Sequence, residues 1–63
     1  MVVIAEFNKE TNQSTGTLYE IRNCPDLTNF NRNFDYKNFY PEVEGRKFYN
    51  MKDLTAFVKS LNG

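Results

Sequence analysis

Asn50-Met51-Lys52-Asp53-Leu54-Thr55-Ala56-Phe57-Val58-Lys59-Ser60-Leu61 is the stretch that decides how this chain folds. Met51, Leu54, Phe57, Val58 and Leu61 recur at helical spacing and fall on one face. Asn50 is a good N-cap, and Asp53 follows three residues on in the manner of a capping box. Lys59 suits the last turn, where the helix dipole favours a cation, and Gly63 suits the exit. An isolated helix this short is marginal in water. Its apolar stripe must lie on something, and the rest of the chain offers strands.

Immediately upstream, Arg46–Tyr49 reads as a strand. Tyr36–Tyr40 reads as its partner, with Pro41 and Gly45 bracketing a turn. The alternative is a loop followed by a single strand. At the other end, Val2–Phe7 alternates, with Val3, Ala5 and Phe7 on one side and Val2, Ile4 and Glu6 on the other. Both sides begin apolar, so this strand is expected to be central or covered at its start. Thr17–Arg22 is its natural partner, because its β-branched and aromatic residues suit a pleated surface. The polar run Asn8–Gly16 joins the two, with Asn12 and Gly16 suited to left-handed turn positions and the tip near Asn12–Thr15. Val2–Arg22 is thus a β-hairpin.

Asn23-Cys24-Pro25-Asp26 punctuates the chain. Pro25 and Asp26 fit the first turn of a helix, and Leu27, Phe30 and Phe34 fall at i, i+3 and i+7. A helix of one or two turns over Pro25–Asn31 is one reading. Asn29, Asn31 and Asn33 favour a loop instead, since their side chains compete for backbone hydrogen bonds. The expected fold is α+β: a small antiparallel sheet of three or four strands, with the C-terminal helix packed on one face. Residues 1–63 make one domain.

Composition narrows the function. The 63 residues carry eight basic and eight acidic side chains, one Cys and no His. A core this small supplies only about 3–5 kcal/mol, and Cys24 alone cannot form an internal disulfide. One thiol without imidazole does not make a usual zinc site, and no cofactor is expected. Zero net charge disfavours nucleic acid, whose phosphates call for surplus Lys and Arg. No apolar run approaches a membrane span, and no secretory leader is evident. The expected compartment is the cytosol, with Cys24 reduced. Asn is over-used, as are other residues with AT-rich codons, which suggests a bacterial, phage or other mobile-element gene. Starting at Met1, the chain reads as a whole small gene product.

Chemical motifs are scarce. Cys24 has no imidazole to activate it and reads as a small residue at a turn. Glu42, Glu44 and Asp35 read as solvated charge rather than a cation site. Gly16 and Gly45 are isolated and form no phosphate loop. Catalysis and a small-molecule substrate are therefore not expected.

The unusual feature is Phe30–Tyr49, which interleaves Phe30, Phe34, Tyr36, Phe39, Tyr40, Phe48 and Tyr49 with Arg and Lys. Part of it must be core, as Phe7, Phe48 and Phe57 are expected to be. The number of rings nonetheless looks larger than one small core needs. The first reading is a non-enzymatic protein-binding module, or a homodimer, using Tyr36, Phe39, Tyr40, Arg46 and Tyr49, of which at least two should be exposed. The second is a single-stranded nucleic-acid binder, with Tyr36, Phe39 and Tyr40 stacking on bases and Arg32, Lys37, Arg46 and Lys47 on phosphates.

Overall fold

A computed structural model describes Met1–Leu61. β1 (Val2–Asn8) and β2 (Ser14–Ile21) form the N-terminal hairpin, in register from Val2↔Ile21 to Ala5↔Leu18. The Asn8 side chain shapes the connection by accepting from the backbone N–H of Glu10 (2.7 Å) and Thr11 (3.2 Å). Asn12 takes a left-handed conformation, φ 59°. Gly16 is not part of this turn. It lies within β2 at φ 85°, where the pairing jumps from Ala5↔Leu18 to Phe7↔Ser14. Extra residues of β2 thus bow out opposite Glu6, and Gly supplies the positive φ that the bulge needs. The Glu6 carboxylate holds this bulge by accepting from Thr15 Oγ1 (2.7 Å) and the Tyr19 hydroxyl (3.0 Å).

α1 (Cys24–Asn33) is a full helix, longer than the one or two turns expected. Asn23 caps it by accepting from Asp26 N–H (2.9 Å), and the Asp26 carboxylate reaches back to Arg22 N–H (3.0 Å). The first bond satisfies a donor that a helix start otherwise leaves free, and the second ties the residue before the cap to the first turn. The asparagines do not break the helix. Asn33 Nδ2 bonds back to the Asn29 carbonyl, and Asn31 Nδ2 donates to Thr55 Oγ1 at 2.9 Å. Leu27 and Phe30 bury the other side.

The second hairpin pairs β3 (Phe39–Val43) with β4 (Arg46–Lys47). Its turn is Glu44–Gly45, both left-handed at φ 50° and 80°, the two-residue geometry that matches strand twist. Pro41 does not bracket this turn; it lies buried inside β3, opposite Glu6. Its carbonyl accepts from Phe48 N–H at 3.0 Å. A strand residue's N–H and C=O point the same way, so the donor Pro41 lacks would have faced the β4 side, and the β1 ladder loses nothing. Tyr36–Asn38 is a turn rather than a strand. The Asp35 carboxylate organises it, accepting from the N–H groups of Lys37 and Asn38 and from Asn38 Nδ2.

α2 (Met51–Leu61) starts at Asn50, which accepts from Asp53 N–H (2.8 Å) and returns an Nδ2 bond to the Asp53 carboxylate (3.0 Å). Leu54 and Val58 are buried and Phe57 is half-buried. Met51 and Leu61, expected in the same stripe, are exposed at the two ends of α2. The C-terminal role expected of Gly63 lies outside the described residues.

The strand order is β2-β1-β3-β4. β2 and β3 each run antiparallel to β1, so α1 must carry the chain across β1 to reach β3. Val2, Ile4, Ile21 and Val43 from the sheet share one cluster with Leu27, Phe30 and Phe34 of α1 and its exit and with Leu54 and Val58 of α2. Both helices therefore lie on the same face. The fold is the expected α+β sheet with a C-terminal helix, and α1 joins that helix in the same layer.

Candidate interaction surface

The register shows what the other face presents. Directly paired residues project to the same side of a sheet. Val3↔Glu20, Ala5↔Leu18, Ala5↔Glu42, Phe7↔Tyr40 and Glu42↔Lys47 all belong to the face away from the helices. Three apolar side chains there or at its margin stand in solvent: Val3 at 44% exposure, Leu18 at 63% and Tyr49 at 55%.

Tyr40 is different. It is 1% exposed although it points to the face that no helix covers. Phe7 tilts against it at 5.4 Å, Tyr49 stacks on it at 5.3 Å, and Lys47 Nζ sits 6.0 Å from its ring centre. It is the one buried apolar side chain outside the main cluster among the described residues, apart from Pro41 beside it in β3. Phe7, Tyr40 and Tyr49 thus form a small second cluster. Phe7 was expected in the main core; its position in β1 sends it to this face instead.

The five residues singled out for protein binding do not form one patch. Tyr36 lies on the helix side, half-buried against Phe34 at 4.9 Å, with its hydroxyl donating to Asn31 Oδ1 (2.8 Å). Phe39 is half-buried against the main cluster. Arg46 is exposed on the helix side, its guanidinium 5.2 Å from the Phe57 ring centre. Tyr40 is buried and Tyr49 exposed, both on the far side. Nine of the ten rings are buried or half-buried, so the apparent surplus is mostly taken up. The interior absorbs them because rings pack on both faces of the sheet. Val3 and Leu18 were not anticipated as surface candidates. Alternation assigned them to a side, but only the helix placement decides which side stays open.

The candidate phosphate contacts are also scattered. Arg32 is exposed in the last turn of α1, and Lys37 sits in the turn before β3. Arg46 and Lys47 are neighbours in β4 and point to opposite faces. Cys24 is exposed at the start of α1. Among the described residues, no three His, Cys, Asp or Glu side chains gather as a metal site requires, and no helix is long and apolar enough to cross a membrane.

No family model, curated protein or solved structure matches this chain.

Burial pushes the Tyr36 phenol up to about 12. In an unfolded chain it ionises near 10. A group whose folded value is raised contributes stability that is complete below the unfolded value and is lost as pH climbs through the folded one. The urea midpoint is therefore expected to fall between pH 10 and 12, and less steeply in Tyr36→Phe. Tyr19 is also raised, by burial first and then by its bond to Glu6 and that carboxylate's charge, and adds to the same limb in both proteins. Equal slopes for wild type and variant would mean that Tyr36 is as wet folded as unfolded.

Proposed function

We propose that this protein is a non-enzymatic binding module whose uncovered sheet face meets a partner protein. The observation that carries this reading is that Val3, Leu18 and Tyr49 stand in solvent, spread from one border to the other of a helix-free face that also holds buried Tyr40. Interfaces favour an apolar or aromatic centre within a polar rim. Here Glu20 and Lys47 lie on the two border strands, and Glu42 sets one charge between them on β3. A sheet is rigid, so little conformational freedom is lost on docking. Tyr49 is the natural anchor, because its ring is held by Tyr40 while most of it remains accessible. Within this reading the protein works in the cytosol, and a phage or other mobile element remains the proposed source. The scattered cations support the nucleic-acid reading less well.

The test is affinity capture from source cells followed by titration of the captured partner. Tyr49→Ala and Val3→Lys should each weaken binding about tenfold or more, the loss of an interface anchor. Lys52→Ala, on the exposed side of α2, should bind as wild type does. Equal affinity across all three variants would remove the sheet face from the interface. Oligonucleotide binding that weakens steeply with salt would replace the protein partner with nucleic acid.

A further inference from the structure

β2 forms one border of the sheet, and among the described residues its outer side pairs with no strand. Such a border presents a row of N–H and C=O groups that only another extended backbone can pair with. Proteins usually blunt it with short length, Lys, Pro or a bulge. β2 is eight residues long and contains neither Lys nor Pro. Its bulge occupies the first half, which leaves Thr17–Ile21 in regular register with β1 from Leu18 onward. A groove of about 400 Å³ runs beside this half, floored by Tyr19, Ile21, Phe30 and Phe34. The one charged residue of β2 is Glu20, which pairs at 3.5 Å with Arg22 just beyond the strand.

We propose that the occupant of this border is β2 of a second copy, running antiparallel about a two-fold axis through Leu18. In that register Leu18 meets its own counterpart and Thr17 meets Tyr19, while Gly16 in the bulge and Ser14 beyond it come opposite Glu20 and Arg22. No like charges face each other, and each charged side chain lies opposite a small uncharged residue. The most exposed side chain of the strand's apolar set, Leu18, is covered by itself. Moving the axis to Tyr19 would set Leu18 against Glu20, and moving it to Thr17 would set Leu18 against Gly16. Two copies carry no net charge and do not repel each other. A two-fold contact closes after two copies, giving one continuous eight-stranded sheet. It also supplies the staple that a small core with a single Cys lacks. This pairing uses the border and takes Leu18 from the edge of the open face: a dimer leaves Tyr49 accessible, and a monomer could still bind through it.

Sedimentation velocity over a wide concentration range tests the pairing, with far-UV circular dichroism confirming that each variant folds. Wild type should run at twice the monomer mass. Leu18→Lys alone and Leu18→Glu alone should run as monomers, dissociating at least about tenfold more readily. An equal mixture of the two should recover the dimer, because opposite charges then meet on the axis. Wild type at monomer mass throughout would overturn the proposal. So would single variants that stay dimeric, or a mixture that stays monomeric. A monomeric wild type that selects extended peptides from a phage-displayed random library at this groove would give the border to a foreign strand and overturn it equally.

Discussion

Leu54→Ala is expected to cost about 2–5 kcal/mol and to leave much of the chain unfolded at room temperature. Leu54 is fully buried in the middle of α2, within the cluster that joins both helices to the sheet. Truncation removes apolar burial and leaves a cavity that a small, tightly connected interior cannot easily close. The total stability available to such a domain is only about 3–5 kcal/mol. Urea or thermal melts followed by far-UV circular dichroism should show a folded baseline that is short or missing. Lys59→Ala, exposed on the same helix, should stay within about 0.5 kcal/mol of wild type. A loss below about 1 kcal/mol for Leu54→Ala would mean that α2 is not anchored on the sheet.

The second large effect falls on the face without helices. Tyr40→Ala is expected to cost about 3–5 kcal/mol, in the range of aromatic truncations in cores. The ring is buried between Phe7 and Tyr49 under Lys47, so its loss removes the centre of the second cluster. Tyr49→Ala, by contrast, gives up one stacked partner of an otherwise exposed ring, about 0.5–1.5 kcal/mol. The same melts distinguish the two. If Tyr40→Ala proved as mild as Tyr49→Ala, the far face would hold no real cluster and Tyr40 would revert to a candidate contact. The difference matters for the binding tests, because a variant that unfolds the protein says nothing about where a partner sits.

Much of this architecture could be read from residue order, for physical reasons that differ by element. The stripe of α2 and its Asn50 cap are local signals, and they survive in the fold. The first hairpin is likewise written in alternation. α1 is ambiguous in the sequence because each of its three asparagines, taken alone, weighs against a helix. In the fold one bonds along the helix and another reaches across to α2, so their competing hydrogen bonds are spent without unwinding it. Pro41 misled for a related reason. Proline marks turns on average, yet here it sits inside a strand, where its missing donor faces the β4 side and the β1 ladder stays intact. The site was less legible than the fold. Period-two patterning divides Val3 from Ile4 and Leu18 from Tyr19, but it cannot say which set a helix will cover. That depends on the crossover from β2 to β3, a property of the whole chain.

The same crossover sets an order of events. Val2–Asn8, one of the two inner strands, is made before Ser14–Ile21, which follows at once to occupy one of its sides. Its other side must wait for Phe39–Val43, made only after all of α1. Local pairing is faster than distant pairing, so the β1–β2 hairpin is expected to form before β3 claims the other side of β1. The step most exposed to mispairing is therefore expected to be the wait of that inner strand for its second neighbour.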